Sequence, residues 1–238
     1  MPTLTIDGRF CGPPGYANGG YLAGLVAQHS SRRVRIRLER PIPLNTEMNL
    51  EALEDGGLEL THAGAILARA TPADFKLDVP APPSYIEALE ASRHFVGFHK
   101  HLFPRCFVCG TERARGDGLR VFAGRWNAAA ANLVAAPWAA DASLSDGEGK
   151  VRPVFISAAL DCPGAFAARD AMAPMLLGEF TAHIDRCVHI EEPCVVVGWR
   201  ISVSGRKYEV GTALFDEDGE LCARARAVWV ELKAPASE

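Results

Sequence analysis

Three features of the sequence predict an α+β chain of two tandem units, each a central helix wrapped by a curved antiparallel sheet. The first is order: a nearly all-apolar stretch, Tyr21 to His29, precedes short strand-like runs, and the theme returns when Val154 to Ala168 precedes further such runs. The second is local similarity. Arg37 to Leu44 resembles His183 to Ile190 at an offset of 146 residues, and Ala65 to Ala70 echoes Glu220 to Ala225. Repeated order and paired matches together favour duplication over coincidence. The third is composition: 48% hydrophobic and 23% charged residues over 238 positions, enough for a sizeable core.

The elements follow in order. Thr3 to Phe10 alternates and reads as a strand, broken at Gly12-Pro13-Pro14-Gly15. Asn18 stands where an N-cap is needed before the helix from Tyr21 to His29. Val34 to Leu38 has strand period; Met48 to Leu53, Leu58 to His62 and Ala65 to Ala70 add strands, with Asp55-Gly56-Gly57 as a turn. Pro72 to Pro83 is proline-rich linker, and Ser84 with Glu87 forms a capping-box pattern that predicts a helix over 85–93. Cys106 to Gly118 reads as loop, Leu119 to Phe122 and Ala129 to Ala135 as strands. Val154 to Ala168 reads as a second buried helix, thinned or kinked at Pro163, which cannot donate to residue 159. Strands at Glu179 to Asp185, Cys194 to Ser202, Lys207 to Asp216 and Leu221 to Glu231 complete the chain, the last two joined by a tight turn at Asp216 to Gly219. The expected organisation is an N-terminal unit over 1–75, a linker with a short helix over 76–105, and a C-terminal unit over 106–238.

Charge and composition exclude several classes. A net charge of −4 gives no basic stripe for nucleic acid. No segment approaches the roughly 18 apolar residues of a membrane span, and the N-terminus lacks the apolar core of a signal peptide. Seven cysteines, an odd and scattered set, form no disulfide framework and fit a cytoplasmic protein with reduced thiols.

Few residues carry chemistry. Asp161 is the one acid inside the second apolar helix, and burying a carboxylate there demands an explanation. Two remain open on pattern alone: a carboxylate that activates water, or a cap for a helix starting at Cys162-Pro163. Gly19 and Gly20 either supply a backbone N–H to a developing oxyanion or simply permit close packing. His99, His101, Cys106 and Cys109 lie within eleven residues; small buried cysteines in a tight turn are the preferred reading, and a tetrahedral structural zinc is the second. His183, His189 and the four tryptophans read as core or surface residues.

The words around these residues resemble a family. Cys106-Phe107-Val108-Cys109-Gly110 followed by Gly116 to Phe122 is similar to the opening of the phenylacetate-pathway type of hotdog thioesterase. Asn18-Gly19-Gly20 resembles that family's glycine turn, Ala159-Leu160-Asp161 the acid-bearing helix of hotdog acyl-CoA thioesterases, and Gly205 to Ala225 their terminal strands. The resemblance implies a double hotdog acting on acyl-CoA or a related acyl thioester. It makes Asp161 the water-activating acid and Gly19 and Gly20 the carbonyl-polarising turn, with Asn18, Gln28 and Ser202 near the substrate. It implies no metal and no separate cofactor, coenzyme A arriving as part of the substrate, and it is compatible with dimerisation of the double-hotdog chain.

This sequence also departs from the pattern. Eight residues after Gly19 stands Ala27, beside Gln28, with no acid; eight before Asp161 stands Pro153, with no N–H. The halves carry complementary fragments, so a composite site across their seam is expected. The Thr and Gln that such enzymes pair with their acid correspond to Ile201 and Ala227, with Ser202 as the nearest substitute. A non-catalytic binder of acyl thioesters is therefore the alternative. A hotdog hydratase or dehydratase stands third, for want of a His paired with an Asp or Asn at the helix start.

Overall fold

The computed structural model describes residues 2–126, 133–168 and 174–232. In chain order the regular elements are β1 (Thr3–Leu4), α1 (Gly19–Ala27), β2 (Val34–Leu38), β3 (Met48–Ala52), β4 (Leu58–His62), β5 (Ala65–Pro72) and α2 (Tyr85–Arg93). Then come β6 (Gly124–Arg125), β7 (Leu133–Trp138), α3 (Pro153–Ala159), α4 (Cys162–Ala168), β8 (Met175–Ile184), β9 (Cys194–Ser204), β10 (Lys207–Phe215) and β11 (Leu221–Glu231).

Among the described residues the strands form one 11-stranded sheet in the order β1-β3-β4-β5-β2-β8-β11-β10-β9-β7-β6, with every neighbour antiparallel. Outward from the middle, where β2 pairs with β8, the order matches on the two sides for five strands, β2-β5-β4-β3-β1 against β8-β11-β10-β9-β7, and β6 extends the second side. In that seam Arg35 pairs with Thr181, which lies 146 residues further along, the offset of the sequence match. At that pair equivalent residues are partners of each other, and the antiparallel register runs symmetrically away from it, Ile36 pairing with Phe180 and Arg37 with Glu179. The second match agrees with the first: Leu38 pairs with Ala68, and their counterparts Ile184 and Ala223 pair likewise.

Burial explains which strands alternate. In β2, Val34 and Ile36 face inward and Arg35 and Arg37 outward. In β9 the run Cys194 to Gly198 is buried throughout, as is Val210 to Phe215 in β10. Both faces are covered there: α4 packs against the inner face, while Ala88 and Ala91 of α2 join Ala135, Val195, Val197, Ala213 and Phe215 on the outer one. Helix α2 starts as its sequence dictates, Ser84 and Glu87 exchanging a full capping box.

Three expectations change. The first strand is only Thr3–Leu4, followed by a 3-10 turn at Gly8–Phe10. Leu119 to Phe122 is not a ladder strand; its amides at Leu119 and Val121 bond instead to the carbonyls of Phe107 and Val108. The second central helix is two helices, broken at Leu160 and Asp161. Pro163 has no N–H for the Ala159 carbonyl, and the Leu160 carbonyl is taken by the Thr212 hydroxyl at 2.8 Å. The expected strand over Ala129 to Ala135 lies partly outside the described residues; its described part belongs to β7.

Candidate active site

Helices α1 and α3 lie side by side under the middle of the sheet and run in opposite directions, so that the start of α1 meets the end of α3. Small residues permit the approach. A Cβ on Gly20 would lie 2.5 Å from Asp161 Cβ and 2.9 Å from the Ser157 carbonyl oxygen; one on Gly24 would lie 2.8 Å from Ser157 Cβ. The Ser157 hydroxyl donates to the Gly20 carbonyl at 2.8 Å, locking the crossing.

At the α1 start, Asn18 performs two tasks. Its Oδ1 accepts from the Tyr21 N–H at 2.9 Å, capping the helix, and its Nδ2 donates to Asp161 Oδ2 at 2.7 Å. The Gly20 N–H donates to the same Oδ2 at 3.0 Å. Asp161 precedes α4, yet its carboxylate reaches across the seam to α1, 141 and 143 residues away. The other oxygen, Oδ1, is buried and has no partner. Asp161 is 1% exposed. That burial pushes its carboxyl up to about 7, against the opposing hydrogen bond from Gly20; Cys106 nearby raises it further, and the Asn18 bond opposes.

Asp161 lines a cavity of about 610 Å³ together with Asn18 and Gly19. Its walls come from both halves and the linker and are mainly apolar, with Ile42, Phe103, Phe166, Leu177 and Trp229 among them. Trp229 Nε1 is also buried without a partner. Among the described residues these are the two buried side-chain polar atoms so placed, and both residues line this cavity. An orphaned buried donor or acceptor costs about 1–3 kcal/mol, so such atoms mark where a ligand or water belongs.

The remaining predicted residues are distributed as follows. Gly19, the first residue of α1, lies on the cavity and its N–H has no intrahelical acceptor. Gly20, expected to polarise a carbonyl, spends its N–H on the carboxylate instead. Asn18, expected at the substrate, has both polar atoms committed to Tyr21 and Asp161 and acts by positioning. Gln28 caps the far end of α1, about 13 Å away along the helix. It lines a separate cavity of about 380 Å³ with Pro153 and Ser157. Ser202 is exposed and bonds to Glu209 at 3.0 Å, away from the large cavity. Ile201 beside it is 40% exposed, and the β9–β10 register shifts between Glu209 and Val210.

The cluster read from spacing is also rearranged. His101 is spent on the backbone, Nε2 against the Cys109 carbonyl and Nδ1 accepting from the Phe103 N–H, each at 3.0 Å. His99 is exposed. Cys106 and Cys109 instead face Cys162 from the start of α4. Two residues of consequence were missed by sequence reasoning, Thr212 and Trp229. Both come from strands more than fifty residues beyond the helix they serve, and only the alternation of β10 and β11 hinted that their side chains point inward.

No family model and no curated protein matches the chain. Solved structures do. A TesB protein from Mycobacterium avium subspecies paratuberculosis is 15% identical, with a TM-score of 0.61 over 97% of this chain and 92% of that one. The acyl-CoA thioesterase II TesB2 of Mycobacterium marinum is 12% identical, with a TM-score of 0.62 over 98% and 93%. A hot dog fold protein of unknown function from Alicyclobacillus acidocaldarius is 12% identical, with a TM-score of 0.64 over 98% and 93%. The chain has the hotdog fold: central helices against a large antiparallel sheet. No helix among the described residues is long and apolar enough to cross a membrane.

Proposed function

We propose that the chain is a tandem double hotdog that hydrolyses an acyl thioester, acyl-CoA or a related pantetheine thioester, at one composite site. The observation that carries this reading is the pairing of Asp161 with the α1 start: one carboxylate oxygen held by Asn18 and Gly20, the other unpartnered, at an apolar cavity large enough for a ligand. The mirrored strand order and the 146-residue relation across the seam support the tandem architecture.

In this mechanism the acyl chain occupies the apolar cavity and the thioester carbonyl lies at the start of α1. Asp161 Oδ1 takes a proton from water as the water oxygen bonds to the carbonyl carbon. The Gly19 N–H, at the positive end of the helix, meets the oxygen that gains charge. The tetrahedral intermediate then breaks its C–S bond, and the departing thiolate recovers the proton from Asp161. Asn18 and the Gly20 N–H hold the carboxylate in place throughout. The non-catalytic alternative draws on Ala227, buried and apolar where the resemblance expects a polar partner of the acid.

A panel of acyl-CoAs of graded chain length, assayed by thiol release with wild type and Asp161→Asn, separates the two. Hydrolysis by the wild type that falls at least about a hundredfold in the variant supports the enzyme. Tight binding with no turnover supports the binder, and turnover unchanged by the substitution contradicts the assignment of Asp161.

A further inference from the structure

We propose that Cys106, Cys109 and Cys162 form a zinc(II) site. Their sulfurs all lie within 4.8 Å of one another, with Cys106 Sγ and Cys162 Sγ 3.6 Å apart. A tetrahedral zinc with Zn–S bonds of about 2.3 Å requires sulfur–sulfur edges of about 3.8 Å, so the three thiols already stand near the spacing of three corners. All three side chains are buried, and they converge from two distant segments: a tight Cys-x-x-Cys turn and the first residue of α4.

The turn that carries Cys106 and Cys109 is held by its backbone. The Gly110 N–H bonds to the Cys106 carbonyl at 2.9 Å, His101 bonds to the Cys109 carbonyl, and the Phe107 N–H bonds to the Cys11 carbonyl at 2.7 Å. The histidine therefore serves the site by fixing the turn, not by binding the ion. Metal binding exchanges the three thiol protons for Zn²⁺ and leaves one net negative charge on the three-sulfur set. All three cysteines line the cavity that contains Asp161, so the fourth position goes to an oxygen from cavity water or a ligand. This site rests on the sulfur geometry and stands independently of the hydrolase reading.

The test uses untagged full-length protein, reduced throughout with a phosphine, loaded with zinc and dialysed. Elemental analysis is expected to find about one zinc per chain, and cobalt(II) in its place should give a thiolate-to-metal charge-transfer absorption. Cys162→Ser should weaken zinc at least about tenfold, and Cys187→Ser, away from the cluster, should leave it unchanged. As a measure that needs no variant, a strong chelator should lower the thermal midpoint of the wild type. No zinc and no charge-transfer band in the reduced, loaded wild type would overturn the proposal. So would zinc retained in full by well-folded Cys162→Ser.

Discussion

The two ends of the α1–α3 pair invite comparison because the fold makes them equivalent and the sequence does not. At one end the start of α1 offers Asn18, Gly19 and Gly20, and Asp161 follows the end of α3; at the other, α3 starts on Pro153 and α1 ends beside Gln28. The first end has backbone donors, an acid and a cavity of about 610 Å³; the second has no acid, a proline without an N–H, and a smaller cavity of about 380 Å³. A symmetric scaffold can carry one composite site because each half needs to keep only its share of the parts. On the proposed function, an apparent defect in either half, read alone, is half of an asymmetric site.

The sharpest break between the ends comes from the acid. Asp161→Asn keeps the shape and the Asn18 and Gly20 neighbours but removes the proton acceptor, so hydrolysis should fall by about 10²–10⁴-fold in steady-state assays. Gln28→Ala at the opposite end should stay within about twofold of wild type and within about 0.5 kcal/mol in denaturant unfolding. Next in size are the crossing glycines. Gly20→Ala and Gly24→Ala should each cost about 1–3 kcal/mol from overpacking, read from urea midpoints. Only Gly20→Ala should also abolish activity, because its Cβ meets Asp161 itself. Asn18→Ala removes a cap and should cost about 1 kcal/mol, with a fall in kcat exceeding any change in KM if its role is to position the carboxylate. Ser202→Ala, on the outside of the sheet, should alter neither measurably.

The fold was legible where local chemistry decides it. Ser84 with Glu87 announces α2, Asn18 announces α1, and the alternation of Val34 to Leu38 gives β2 its faces. The contact of Asp161 with the Asn18 to Gly20 turn was foreshadowed too, since Pro153 cannot donate and Ala27 cannot act as an acid. What spacing along the chain could not deliver were contacts between segments far apart in sequence. The third sulfur beside Cys106 comes from Cys162, 56 residues on, and nearby His101 proved to be a backbone clamp. Gly20 and Ser202 were placed by analogy of position; the direction of one N–H and the exposure of one strand end decided otherwise. The break at Leu160 depends on Thr212 as well as Pro163, and only the packed sheet brings that hydroxyl to the carbonyl.

The most direct measurement of the single-site claim is calorimetric titration of the wild type and Asp161→Asn with a non-hydrolysable acyl-CoA analogue in which a methylene replaces the thioester sulfur. One analogue bound per chain, quenching Trp229 fluorescence and retained by the variant that cannot turn over substrate, is the predicted result. Two equivalent analogues per chain, or binding that is lost in Gln28→Ala and untouched at the Asp161 end, would contradict it.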